Sequence, residues 1–159
     1  MLTQVRLKEL LDYNPETGVF VWKVKPARRI MIGDVAGSFR EGRVFIRINK
    51  RTHRASRLAW LYMTGKWPVG EVDHKDTVSS NNAWLNLRDV SRQINQQNTC
   101  RAMSTNVCGF LGVSQKPWGY MARIYAGGKQ HYLGTFRSAE SAHVVYVEAK
   151  RKLHGGNTL

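Results

Sequence analysis

The sequence is poor in acidic residues and in cysteine. Only 11 of its 159 residues are Asp or Glu, against 25 Lys and Arg, which gives a formal net charge of +14. Its two cysteines, Cys100 and Cys108, form no C-x2-C pair. This spacing predicts ordinary reduced thiols and no structural zinc.

The chain also has no long apolar run. Its first residues, MLTQVRLKELLDY, are interrupted by charge too often for the apolar core of a signal peptide. The basic residues are spread along the chain rather than along one amphipathic helix, so a membrane surface is a poor candidate partner. A hydrophobic content of 42% supports a packed core and argues against wholesale disorder.

The excess of positive charge predicts a polyanionic partner, because Lys and Arg displace condensed counterions from phosphates. The alternative is a basic protein whose charge serves only solubility. The length of 159 residues fits one ordinary domain or two small ones.

The N-terminal part alternates short periodic segments with turns. Hydrophobic periodicity predicts a helix over 5–12, strands over 19–22 and 43–48, and a helix over 57–63 that ends at Gly65. The apolar side of the first helix comprises Val5, Leu7, Leu10 and Leu11. The segment 14–18, NPETG, has the composition of a turn.

The sequence of the C-terminal part predicts three strands and a helix. The strands cover 111–114, 120–125 and 130–135, with a hairpin turn at Gly127-Gly128. Ser138 is a good N-cap for a helix over 139–153, which would stop at Gly155-Gly156. The polar segment 100–107 is typical of a linker.

Four polar residues, Asp73, His74, Asn86 and Asn95, follow the spacing D-H-x11-N-x8-N. A carboxylate and an amide carbonyl are oxygen ligands that suit a hard divalent cation. His74 would point to the other face of the same strand and act as a general base, an effect worth roughly 100- to 10,000-fold in rate. Asn86 is the natural residue to hold the His74 ring if strand 86–90 pairs with strand 71–74.

Ser91 is a reasonable N-cap for a helix over 92–98, which would carry Asn95 just over one turn from its start. A hairpin followed by this helix would form a compact metal site. The alternative is that the asparagines of this region only cap turns, because five of them are crowded together. They are Asn81, Asn82, Asn86, Asn95 and Asn98.

Three ordered motifs carry a family resemblance. The runs RLAWLYMTGKWP, VDHKD and NNAWLNLRDVSRQINQQN resemble the HNH endonucleases often found in phages, in particular a homing-like subgroup that has the N-terminal element YNPETGVFVW. The runs GFLGVSQKPWGYMARIY and YLGTFRSAESAHVVYVEAKRKLHG resemble the plant ethylene-response-factor DNA-binding domain. The resemblance implies an α+β fold: a nuclease domain over 1–99 with a ββα-metal core at 71–98, a linker over 100–108, and a three-stranded sheet on a helix over 109–159.

The resemblance also implies an activity: hydrolysis of phosphodiester bonds in duplex DNA, by nicking, with one Mg2+ or Mn2+. Its implied roles are His74 as general base, Asn86 as the residue that orients it, and Asp73 with Asn95 as metal ligands. Two positions depart from relatives, which usually have His where this chain has Ser56 and often Arg where it has Ala83. The implied location is the cytoplasm of a bacterial or phage-infected cell, at the nucleoid.

A three-stranded sheet of this kind can lie in the major groove of DNA, where base edges are distinguishable. Lys116 and Trp118 match contact positions of the plant domain. Further DNA contacts are predicted at Arg88, Arg92, Arg123, Tyr125 and Lys129. Trp118 alternatively packs on the helix, and Tyr132, Leu133 and Phe136 are predicted to be core. At the level of function, the alternatives are a non-catalytic DNA-binding regulator and an RNA-binding or RNA-cleaving protein.

Overall fold

The computed structural model describes residues 1–98, 102 and 105–154. The chain divides into two compact units, Met1–Ser91 and Arg92–Leu159, built from small antiparallel sheets and helices. Over the described residues, no helix is both long enough and apolar enough to cross a membrane. The predicted stop at Gly155-Gly156 and the residue Cys100 lie outside this described part.

The first unit holds two α-helices, seven strands and one 3-10 turn within its described residues. They are α1 (Gln4–Leu10), β1 (Leu11–Tyr13), β2 (Phe20–Trp22), β3 (Ser38–Arg40), β4 (Arg43–Ile48), β5 (Arg51–Arg54), α2 (Ala55–Thr64), β6 (Glu71–His74), the 3-10 turn Trp84–Asn86, and β7 (Leu87–Val90). The described part of the second unit contains α3 (Arg92–Gln97), β8 (Val113–Lys116), β9 (Gly119–Ala126), β10 (Lys129–Phe136) and α4 (Ala139–Leu153).

The first helix is shorter than predicted. The Thr3 hydroxyl caps its start by accepting the Arg6 N–H at 3.2 Å. It ends at Leu10 because Leu11 becomes extended and pairs with Trp22. Leu7, Leu10 and Leu11 are buried, as the periodicity predicts. The placement of Val5 on the apolar side is wrong, since Val5 is exposed.

The core of the first unit is formed by buried side chains from α1, β1, β2, β4 and α2. Ile46 and Ile48 face it from β4, whose predicted bounds are confirmed. Helix α2 begins two residues before the predicted 57 and ends at Gly65, which has the left-handed φ of 77° expected at this position. Strands β3 and β5 were not predicted because their residues are largely exposed and carry no apolar alternation.

The second unit packs α4 on one face of a sheet ordered β10-β9-β8. The Ser138 hydroxyl accepts the Ser141 N–H at 3.2 Å, which confirms the predicted N-cap, and α4 spans the predicted 139–153. Gly112 must be glycine, because a Cβ there would overlap the Tyr146 ring. Asn106 of the predicted linker donates its amide to the Phe110 and Val113 carbonyls, so this end of the linker is bonded to the start of β8.

Candidate functional site

The predicted hairpin forms between β6 and β7. The strands pair antiparallel, with Asp73 opposite Arg88 and His74 opposite Leu87. Asp89 anchors the base of the hairpin by accepting the N–H groups of Val69 and Gly70, both at 2.9 Å. Side chains alternate along a strand, so Asp73 and His74 lie on opposite faces of β6.

His74 is buried and its ring is held by an asparagine. Its Nε2 lies 3.2 Å from Oδ1 of Asn82, which is also buried. The Asn82 Nδ2 donates to the Ser80 carbonyl at 3.1 Å, which assigns Oδ1 as an acceptor. The neutral His74 ring therefore carries its proton on Nε2 and leaves the Nδ1 lone pair available as a base.

Asn86 is placed differently from the prediction. It ends the 3-10 turn rather than starting strand β7, and its amide is bonded within the loop. Its Oδ1 accepts the Asp76 N–H at 3.0 Å, and its Nδ2 donates to Asp76 Oδ1 at 3.0 Å and to the Asn81 carbonyl at 2.8 Å. The direct contact with His74 predicted for Asn86 is made by Asn82, while Asn86 braces the loop that carries Asn82.

Asp76 is the centre of this loop. Its carboxylate accepts the Val78 N–H at 2.9 Å and the Asn81 amide at 2.7 Å, in addition to the Asn86 amide. Burial acts to raise the pKa of Asp76, but these hydrogen bonds and the nearby His74 together hold that pKa below its ordinary value of 3.8. Asp76 is therefore ionised at neutral pH and keeps accepting all three bonds.

Asp73, the predicted metal ligand, forms a cross-strand ion pair. The Arg88 Nε and Nη2 lie 2.9 and 2.8 Å from Asp73 Oδ2, and the Asp73 side chain is only 13% exposed. The predicted contact between Arg88 and DNA stays a prediction, since the described partner of Arg88 is Asp73.

Asn95 and Arg92 lie on α3, which groups with the second unit. Asn95 is half-buried and Arg92 is exposed. That Asn95 shares a cation with Asp73 stays a prediction. In the part of the chain that the structure describes, no cluster of three His, Cys, Asp or Glu side chains has the arrangement of a metal site.

The outer face of the second-unit sheet, opposite α4, is aromatic and basic. Trp118 is 75% exposed at the β8–β9 turn, which excludes its alternative packing on the helix. Arg123 on β9 stands opposite Tyr132 on β10. Tyr125 and Tyr132 are 64% and 63% exposed. Of the other predicted contacts, Lys116 is half-buried on β8 and Lys129 is exposed at the start of β10.

The prediction of Tyr132 as a core residue is wrong, whereas Leu133 and Phe136 do pack on the core. The register shifts between Tyr132 and Gly134, so a β-bulge lies at Leu133. Strict alternation would put Tyr132 on the same face as Phe136. The bulge moves Tyr132 to the outer face, beside Arg123.

A second basic surface lies on the three-stranded sheet of the first unit. The strand register puts four arginines on its outer face, around the half-buried Phe45. Arg40 and Arg43 are directly opposite each other, which is unfavourable for like charges. In the described residues none of the four forms an ion pair. This arginine face comprises Arg40, Arg43, Arg47 and Arg54.

The remaining histidines have structural contacts. His53 stacks on Trp67 with ring centroids 5.6 Å apart. Burial lowers the pKa of His53, and the charge of the neighbouring Arg51 lowers it further. His131, His143 and His154 each bond a backbone carbonyl through one ring nitrogen. His74 thus differs from them in having an amide side chain as its ring partner.

Residues 53–97 match the family model of the HNH endonuclease. The chain is also similar to an ethylene-responsive transcription factor, ERF084, of Arabidopsis thaliana, at 41% identity over 58 residues. That match covers 35% of this chain and 23% of the plant protein, so the chain spans about a quarter of the length of this relative. No solved structure matches the chain significantly. These matches indicate a nuclease and a DNA-binding module.

Proposed function

We propose that the protein is a metal-dependent endonuclease that cuts one strand of duplex DNA. The observation that carries this proposal is the β6–β7 hairpin, in which Asn82 holds His74 in one tautomer and Asp73 lies on the opposite face of the same strand. The match of residues 53–97 to the HNH endonuclease supports it.

In the proposed mechanism, His74 Nδ1 takes a proton from the water that attacks the scissile phosphorus. Asn82 accepts a hydrogen bond from Nε2–H, which stabilises the imidazolium formed as that proton arrives. Asp73 would supply a ligand to one divalent cation, because a carboxylate provides the oxygen donors that Mg2+ and Mn2+ prefer. When bound, the cation supplies charge stabilisation at the phosphoryl and leaving oxygens.

Arg88 gives this arrangement a counterion for Asp73. In the described contacts its guanidinium neutralises the carboxylate, and both charged groups lie on facing strands. We propose that Arg88 is also a phosphate ligand: if Asp73 held a cation, the Arg88 guanidinium would be available to contact a DNA phosphate.

The second unit is proposed to bind duplex DNA through its outer sheet face. Exposed aromatic rings beside a guanidinium, with lysines at the sheet margins, suit contact with base edges and phosphates of a groove. Similarity to a plant transcription factor supports this role. The arginine face of the first unit supplies further phosphate contacts, since its four cations have no acidic partner in the described chain.

A plasmid assay tests the nuclease proposal. We expect supercoiled plasmid to become nicked circles in Mg2+ or Mn2+, and to stay supercoiled when a chelator is added, because the phosphoryl charge then has no cation to stabilise it. Gel electrophoresis separates the two forms. A protein that binds plasmid but never nicks it with either metal would instead be a regulator, a function that the family match does not favour. Preference for structured RNA over duplex DNA in competition would point to an RNA-directed protein.

A substitution on the outer sheet face tests the binding module. We expect Arg123→Gln to weaken binding by about 1–3 kcal/mol, or roughly 5- to 150-fold, on a duplex selected by the protein from a random pool. The matched control is Arg151→Gln, which removes the same charge from an exposed position on α4. Fluorescence anisotropy measures both affinities. Equal losses in the two variants would show that only net charge matters.

A further inference from the structure

Tyr13 reaches from the first β-strand to the loop of the proposed site. Its hydroxyl donates to the Asn82 carbonyl at 2.7 Å, across 69 residues of sequence, and the side chain is buried. The ring packs on Phe20 and Tyr62, with centroids 4.6 and 5.5 Å away. Burial raises the pKa of Tyr13 to about 12, so the phenol stays protonated and remains a donor at any working pH.

The turn that follows Tyr13 contacts the same loop twice more. The Pro15 carbonyl accepts the Trp84 N–H at 2.8 Å. Gly18, at φ 73°, lies so close that a Cβ there would overlap the Asn82 carbonyl carbon and the Ala83 nitrogen. Residues 82–84 are therefore held by a hydroxyl, a carbonyl and a close backbone approach, all from residues 13–18.

The turn is itself rigid. Asn14 Oδ1 accepts the N–H groups of Glu16 and Thr17 at 2.9 and 3.1 Å, and the Asn14 carbonyl accepts the Gly18 N–H at 2.8 Å. An asparagine that closes a turn in this way restricts the backbone on both sides. The segment 13–18, which we term the N-terminal brace, is thus a fixed support for Asn82.

We propose that the N-terminal brace positions the general base, with Tyr13 acting through Asn82 on the His74 ring. This inference rests on the proposed nuclease function. The side chain of Asn82 bonds His74 while its backbone carbonyl bonds Tyr13, so one residue links the two. Tyr13 touches neither His74 nor substrate in this proposal, and its role is that of a positioning residue.

Removing the Tyr13 hydroxyl leaves the buried Asn82 carbonyl without that donor. The loop then gains freedom to shift toward another donor, because an unsatisfied buried carbonyl is costly. The Asn82 amide moves with it, and the His74 ring loses its fixed acceptor. Misplacement of a catalytic group by about 1 Å can lower the rate about 100-fold, so a partial shift predicts a fall of roughly 10-fold in kcat.

The test compares Tyr13→Phe with Tyr62→Phe in the full chain. Tyr62 belongs to the same aromatic cluster, and its hydroxyl bonds Asp12 Oδ1 at 3.1 Å rather than the loop. We expect Tyr13→Phe to lower kcat for plasmid nicking roughly 10-fold with unchanged KM, and Tyr62→Phe to leave kcat near wild type. Imidazole 15N NMR should show His74 protonated at Nε2 in wild type and in Tyr62→Phe, and a mixture of tautomers in Tyr13→Phe.

Two outcomes would overturn the proposal. One is a Tyr13→Phe protein with wild-type kcat and unchanged His74 15N shifts. The other is an equal loss of kcat in both variants with no change of tautomer, which would mean that the aromatic cluster matters only for stability. A wild-type chain that never nicks DNA would refute the nuclease function instead, and the NMR comparison would still report whether Tyr13 controls the His74 ring.

Discussion

Replacing His74 with Ala is expected to lower the rate of plasmid nicking by roughly 100- to 10,000-fold while duplex affinity stays near wild type. The loss is large because Nδ1 of His74 is the proposed acceptor of the proton from the attacking water. Affinity is retained because the His74 side chain is buried and belongs neither to the arginine face nor to the outer sheet face that are proposed to bind DNA. Single-turnover nicking and fluorescence anisotropy measure the two quantities separately.

The matched control for this variant is His53→Ala. His53 lies in the same unit, and its described contact is the stacking of its ring on Trp67 rather than a bond to the hairpin loop. Its variant should nick plasmid at nearly the wild-type rate. Wild-type activity of His74→Ala in the same metal would rule out the assignment of the base. A loss of DNA affinity equal to the loss of rate would show that the substitution unfolds the hairpin.

The affinity for duplex DNA is expected to fall roughly 1,000- to 100,000-fold between about 50 and 200 mM salt, if about 6–10 phosphates are contacted. The net charge of +14 and the arginine face of the first unit are the physical reasons, since each neutralised phosphate releases counterions. Titration of labelled duplex at a series of salt concentrations gives the slope of log affinity against log salt.

Paired substitutions locate the origin of that slope. Arg40→Gln with Arg43→Gln removes two charges from the arginine face and should reduce the slope by about 2, or close to one unit for each phosphate that is no longer neutralised. Arg28→Gln with Arg29→Gln removes the same charge from an exposed loop outside that face and is the control. A salt response that is flat in wild type contradicts the electrostatic account altogether.

Several elements were predictable because one local signal determined each of them. Strand β4 has clear alternation of apolar and polar residues, and α4 has a serine cap and a helical apolar stripe. The segment 14–18, NPETG, has the Asn, Pro and Gly residues that favour a turn. Strands β1 and β5 have only three and four residues, and β5 is mostly exposed. Such short strands form because they pair with a neighbouring strand, so strand pairing rather than the local sequence pattern determines them.

The site was predictable in type but not in its contacts. Spacing identifies Asp73 and His74 on one strand, and β6–β7 pairing confirms that hairpin. The spacing does not identify which asparagine contacts the His74 ring, because a loop of polar residues folds back through hydrogen bonds that have no periodicity in sequence. Asn82 is nearer to His74 in sequence than Asn86, and this proximity was the available signal. For Tyr132, a single bulge reverses the expected face.

The N-terminal brace and the loop it supports are 69 residues apart in sequence. Contacts of such long range form only after the intervening chain has closed on itself. A fragment that begins after residue 18 would keep Asp73, His74, Asn86 and Asn95, and yet lack the support for Asn82. Similarly, a chain growing on the ribosome would position the proposed base His74 only after the first unit has folded, so the proposed nuclease activity would appear only once that unit is complete.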